Sequence, residues 1–300
     1  MQATPLSFNS SDGFTLYGLH FVRASKKQKS IAIFVHGAGN SNIISKGLLL
    51  STLADSLQAK QHDLVAFNNR GSGYVGAIKR YDTEGAVAEK RMSGMAYERI
   101  AECIEDLDGI IDWAVNQGYD NVVLIGHSTG ANKLVLYANS SSTRLKYVQK
   151  LFLLAGGDDI TLQNSWLEDS AAYLKTITSG AEQHGPQALV PEGQFYGGHP
   201  ISYGSLVELL TEHSDYDIFP FGRYQKNRDD LFTHIRALTI PTIAIYGTRD
   251  FGTVVPVKDA LEILRSVLPA IQTEHITNAE HDFWEHEQEL AQIIAASINP

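Results

Sequence analysis

The pentapeptide Gly126-His127-Ser128-Thr129-Gly130 is where this sequence first suggests chemistry. It directly follows the apolar run Val122-Val123-Leu124-Ile125 and opens a helical pattern, so Ser128 is expected on a tight, strained strand-to-helix turn. On such a turn the hydroxyl projects from the sheet edge. Glycine two positions to either side removes the Cβ atoms that would clash where strand and helix cross, and the helix amides that follow favour a developing oxyanion. A serine hydroxyl is a weak nucleophile until a base accepts its proton, and the base needs an acid to orient it. On a doubly wound sheet both belong in loops after later strands. Asp250 stands in such a loop, Gly247-Thr248-Arg249-Asp250, after Thr242-Ile243-Ala244-Ile245-Tyr246. His281 stands in another, Thr277-Asn278-Ala279-Glu280-His281-Asp282-Phe283, before the last helical pattern.

Each role has rivals. His275 falls inside an expected strand and His286 on the final helix, so His281 is the expected base. Glu280 and Asp282 adjoin the histidine and are badly placed to reach its ring, which leaves Asp158 and Asp159 as the competitors of Asp250. The spacings of His275, His281 and His286 do not match a paired-histidine metal motif. No metal and no cofactor are called for. Two backbone N–H groups are needed for an oxyanion: that of Thr129, and that of Ala38 in His36-Gly37-Ala38-Gly39-Asn40. His36 is expected to pin that loop by hydrogen bonds, and Arg70 in Asn68-Asn69-Arg70-Gly71-Ser72-Gly73 to brace neighbouring loops.

Short apolar runs alternating with longer amphipathic segments must position these residues, which is the pattern of an α/β fold with a doubly wound, mostly parallel sheet. Strands are expected at Leu16–Val22, Ile31–His36, Leu64–Asn68, Val122–Gly126, Leu151–Ala155, Thr242–Tyr246 and Ile271–Ile276. Apolar residues at three- and four-residue spacing predict helices over Tyr97–Val115, Ala131–Ala138, Val257–Val267 and Trp284–Ile298. The rhythm breaks between Asp158 and Arg236, a connection far longer than usual. It carries ten aromatics from Trp166 to Phe232 and reads as an inserted cap, residues 158–236, over a core of residues 1–157 and 237–300. Phe195, Tyr196, Phe219 and Phe221 are its expected substrate-lining residues.

Composition narrows the function classes. The 300 residues carry a net charge of −10, which argues against a nucleic-acid partner; the densest basic run is Lys26-Lys27-Gln28-Lys29. A single cysteine excludes an intramolecular disulfide or a multi-thiolate zinc site. Met1-Gln2-Ala3-Thr4-Pro5 lacks a signal-peptide start, and the apolar runs are too short for a transmembrane segment, so a cytoplasmic location is expected.

Taken together, His36-Gly37-Ala38-Gly39, Arg70-Gly71-Ser72-Gly73, Gly126-His127-Ser128-Thr129-Gly130, Gly247-Thr248-Arg249-Asp250 and Ala279-Glu280-His281-Asp282-Phe283 resemble the α/β-hydrolase superfamily from the Ile31 strand to the C-terminal helix. The order Ser, Asp, His is that of its triad. The resemblance implies an α/β-hydrolase fold with a cap between the sixth and seventh core strands, a catalytic triad of Ser128, Asp250 and His281, and an oxyanion hole of Ala38 and Thr129. The elbow with its cap is also similar to that of small esterases opening siderophore or lactone esters. One departure stands at the acid: many relatives place Val-Pro three residues after it, whereas Val255-Pro256 lies five and six after Asp250. The expected activity is hydrolysis of a small carboxylic ester, lactone or thioester through an acyl-enzyme. Amide, peptide or carbon–carbon bond hydrolysis and acyl transfer would use the same residues, and a small-ligand receptor on the same fold is the alternative from another class.

Overall fold

The computed structural model describes residues 2–22, 28–39, 41–191, 198–224 and 230–298. Its sheet runs in the order β10 (Gln272–Ile276), β9 (Thr242–Gly247), β8 (Val148–Leu154), β7 (Asn121–His127), β3 (Ser30–Val35), β4 (His62–Phe67), β2 (Thr15–Val22), β5 (Gly76–Tyr81), β6 (Val87–Ser93), with β1 (Gln2–Asn9) also paired to β2. From β10 to β4 every pairing is parallel, and β2 joins β4 antiparallel. The seven expected strands are present. Three are additional. β1 is nearly all exposed, burying only Phe8, and β5 and β6 form a largely exposed, charged hairpin that touches the apolar core through Ile78.

Continuous apolar character in the central strands reflects helices on both faces. Along β3, Ile31, Ile33 and Val35 pack into one layer with Leu107, Ile110 and Ile111 of α2 (Cys103–Asn116), Leu134 of α3 (Thr129–Ala138) and Leu264 of α8 (Val257–Val267). Ala32 and Phe34 pack into the other with Leu50, Leu53 and Leu57 of α1 (Gly47–Gln58) and Leu290 and Ile294 of α9 (Glu287–Ala296). The expected helix over Tyr97–Val115 is shorter: Arg99 is extended (φ −110°, ψ 111°) between two 3-10 turns, and regular helix starts at Cys103. The last helix likewise starts at Glu287, because Phe283 (φ 57°) and Glu285 (φ 66°) are left-handed.

Residues 158–236 hold α4 (Asp159–Ser165), α5 (Ser170–His184), α6 (Tyr203–Leu210) and α7 (Thr233–Arg236). Ile177, Val190, Ile201, Tyr203, Leu206 and Leu210 make a small core of their own. From Tyr216 onward the segment instead joins the main apolar layer through Ile218, Phe219, Phe221, Phe232 and Ile235, so no break in packing marks its C-terminal end.

Candidate active site

Ser128 sits between β7 and α3 with φ 57° and ψ −132°, a strained conformation for a residue with a side chain. Close packing holds it there. A Cβ on Gly130 would lie 2.2 Å from the Val35 carbonyl oxygen, and one on Gly126 would lie 2.4 Å from that of Gly130. At Gly37 it would meet the Cβ of Ser128 at 2.7 Å, so the β3 loop presses directly on the serine.

The Ser128 Oγ–H donates to His281 Nε2 at 2.8 Å, and His281 Nδ1–H donates to Asp250 Oδ1 at 2.8 Å. The Gly252 amide donates to the same carboxylate oxygen at 2.8 Å, fixing the Asp250 side chain, which is fully buried. Burial pulls the pKa of His281 down, but the hydrogen bond and charge of Asp250 outweigh it, leaving the imidazole above its ordinary value. Beneath it, the Nε2–H of His127 donates to the His281 carbonyl oxygen at 2.8 Å. His127 is buried, and burial together with the Lys46 cation holds its pKa well below the ordinary value, so it is a neutral prop. Lys46 pairs with Asp282 on the same loop.

The rivals take other roles. His275 is exposed on β10, and His286 lies at the start of α9 with Nδ1 3.7 Å from Glu289. Asp158 accepts from the Thr161 amide at 3.0 Å, capping α4, and from the Gly222 amide at 2.8 Å. The two extra residues after Asp250 form a turn in which the Thr253 hydroxyl donates to the Val255 carbonyl oxygen at 2.6 Å and Val254 is left-handed (φ 52°).

Ala38 and Thr129 line one cavity with Ser128 and His281. Thr129 is the first residue of α3, and its amide is among those a helix cannot satisfy internally. His36 pins the loop as expected: its Nε2 accepts from the Asn69 amide at 3.2 Å and its Nδ1–H donates to the Gly37 carbonyl oxygen at 2.8 Å. Burial and the nearby Lys133 push its pKa down to about 3. Arg70 bonds Asp106 on α2 (Nε to Oδ1, 2.9 Å) and Asp12 in the β1–β2 turn region (Nη2 to Oδ1, 3.1 Å), an internal brace.

The cavity measures about 90 Å³ and is walled by Met95, Leu162, Ile201, Leu209, Tyr216 and Phe251, with Asp159, Gln163 and Ser205 as its polar groups. Here the expected lining is corrected. Phe219 and Phe221 are 1% and 0% exposed and stack on each other with ring centroids 5.7 Å apart, inside the main apolar layer rather than at the cavity. Full burial of two adjacent rings against Phe232 and Tyr246 uses them as core. Phe195 and Tyr196 lie outside the described residues. Behind the cavity, and missed from the sequence, Lys133 of α3 is buried against Glu98 and donates to Asn69 Oδ1 at 3.1 Å, while the Tyr216 hydroxyl donates to Glu98 Oε2 at 3.3 Å. The available signal was a lysine in the middle of a helix whose other residues are largely apolar. His281 and Phe251 also border a second, wider groove, of about 580 Å³, which runs past Arg249, Asn278 and Trp284.

Among the described residues no group of three His, Cys, Asp or Glu side chains is placed to hold a metal ion, and no helix is long and apolar enough to cross a membrane. No curated protein sequence matches the chain. Among solved structures, Est1E from Butyrivibrio proteoclasticus is similar at 12% identity and a TM-score of 0.60, over 99% of this chain and 97% of that one. An esterase domain from Rhodothermus marinus is similar at 13% identity and 0.55 (99% and 97%), and a carboxylesterase from Bacillus subtilis at 15% and 0.53 (99% and 92%). At such identities these likenesses speak for the fold. The model of the alpha/beta hydrolase family matches residues 32–293, from β3 into α9 and across every element of the site, and the chain belongs to that family.

Proposed function

We propose that the protein is a serine hydrolase of small carboxylic esters acting through an acyl-enzyme. The observation that carries this reading is the unbroken relay from Ser128 Oγ through His281 to Asp250, with the serine held on a strained turn beside a cavity. The esterases of similar fold support the choice of an ester among acyl compounds.

In this mechanism His281 Nε2 takes the Ser128 proton as Oγ attacks the carbonyl carbon. Asp250 keeps the other ring nitrogen protonated and stabilises the imidazolium. The tetrahedral oxygen takes its hydrogen bonds from the Ala38 and Thr129 amides, each such donor being worth about 3 kcal/mol in comparable sites. The imidazolium then protonates the alkoxide, the alcohol departs, and the same nitrogen activates water to release the acid. His281 and Phe251 border both the cavity and the outer groove. The leaving oxygen must lie on the histidine's side, which puts the acyl group in the cavity and the alcohol toward the groove. In this scheme residues 158–236 act as the cap, since Asp159, Leu162, Gln163, Ile201, Ser205, Leu209 and Tyr216 wall the acyl side.

The test is a fluorophosphonate probe followed by peptide mapping. Labelling is expected on Ser128 alone, and Ser128→Ala is expected to lose both labelling and ester turnover while melting as the native chain does. Turnover at the native rate in that variant would overturn the reading.

A further inference from the structure

Two polar side chains of the cavity have no part in the relay. Asp159 and Gln163 stand four residues apart on α4, one helical turn, and therefore on one face. Asp159 Oδ2 accepts from Asn132 Nδ2 at 3.0 Å, and that amide also donates to the Gly157 carbonyl oxygen at 3.1 Å. Gln163 is 6% exposed, and its buried Oε1 meets no donor among the described residues. A buried acceptor without a donor costs about 1–3 kcal/mol. The rest of the cavity wall offers little to satisfy it: the Ser205 hydroxyl is shared with Ser202 at 2.9 Å, and that of Tyr216 is given to Glu98.

Charge points the same way. Burial raises the pKa of Asp159 to about 7, with the Asp158 and Glu98 carboxylates adding to the rise. Lys133 and His281 offset this only in part, and Lys133 is already paired with Glu98. At the Asp159–Gln163 end, away from the Ala38 and Thr129 amides, the cavity is thus short of a cation for the Asp159 carboxylate and of a donor for Gln163 Oε1. A methyl or a phenyl group would leave both needs unmet, a hydroxyl supplies one donor and no charge, and an ammonium group supplies three donors and the charge.

We propose that Asp159 and Gln163 form a subsite for a protonated amine on the acyl part of the substrate, so that the preferred substrates are aminoacyl esters with the amine a few bonds from the scissile carbonyl. The proposal rests on the ester-hydrolase reading for the identity of the reacting group.

The experiment compares near-isosteric esters: ethyl 3-aminopropanoate, ethyl 3-hydroxypropanoate and ethyl butanoate, with ethyl alaninate and ethyl isobutyrate as the shorter pair, at a pH where the amines are charged. In the native chain kcat/KM is expected to favour at least one ammonium ester over its methyl counterpart by about tenfold or more, near 1.4 kcal/mol. Asp159→Asn is expected to shrink that ratio by about tenfold, whatever happens to the absolute rates, and Gln163→Leu to shrink it less. Preference for the methyl or hydroxyl ester in the native chain, or a ratio that Asp159→Asn leaves in place, would overturn the proposal. Should no ester turn over, hydrolysis is the reading that fails. The subsite is then judged by calorimetric binding of ethyl 3-aminopropanoate and ethyl butanoate to Ser128→Ala. Tighter binding of the amine, lost in Ser128→Ala/Asp159→Asn, supports it; equal or weaker binding overturns it.

Discussion

At the scale of single residues, the environment of His281 sets an expected pH profile. In the proposed mechanism His281 must be neutral to accept the Ser128 proton, so kcat/KM is expected to fall as pH drops through the imidazole pKa. Because Asp250 lifts that pKa above its ordinary value of about 6.5, the acid limb is expected above that pH. Asp250→Asn removes the upward influence and leaves the burial, so the limb should move to lower pH while the rate falls by about three to four decades. A pH–rate series on both proteins checks this, and a limb that stays put would remove Asp250 from the relay. The meeting of Ser128, Asp250 and His281 was legible because each is announced by its neighbours: glycines at the elbow, an apolar strand before Asp250, a polar loop between strand and helix around His281. Asp159 and Gln163 carry no such announcement. Their proximity to Ser128 follows from where the β8–α4 connection lands, and a single sequence holds no record of that contact.

At the scale of elements, the segment between β8 and β9 shows how an expected cap can share its aromatic side chains with the core. Its length and its aromatics are what suggest an insertion in the sequence. Yet aromatic residues serve a core as readily as a pocket, and only packing distinguishes the two uses. Gly156 makes the difference visible, since a Cβ there would lie 2.6 Å from the Phe219 ring, which presses on the end of the β8 strand. Phe219→Ala and Phe221→Ala are therefore each expected to cost about 3–5 kcal/mol of stability and to leave the ratio of activities on short and bulky esters within about twofold, far below what a lost pocket contact would do. Urea unfolding and paired kcat/KM values measure both. A tenfold change in preference without loss of stability would return these rings to the cavity. The elements that escaped the sequence were those with little to bury: β1, β5 and β6 are largely exposed, and their pairing is held by backbone hydrogen bonds that any residue can make.

At the scale of the whole molecule, the loop that carries His281, the proposed base, borders two spaces: a cavity of about 90 Å³ and a wider groove of about 580 Å³. Such an arrangement has a consequence for traffic. In the proposed acyl-enzyme mechanism the alcohol, formed toward the groove, can diffuse away while the acid stays bonded to Ser128, and whatever attacks next arrives through the vacated groove. A groove of about 580 Å³ admits a small alcohol as readily as it admits water. With the alcohol product gone, added methanol or ethanol should compete with water for the acyl group, raising ester turnover where deacylation limits the rate and yielding the exchanged ester in proportion to alcohol concentration. Chromatography of reactions containing a graded series of alcohols would show it. If released acid remained the sole product at every concentration, the groove would not be the second reactant's door, and the two openings beside His281 would need separate explanations.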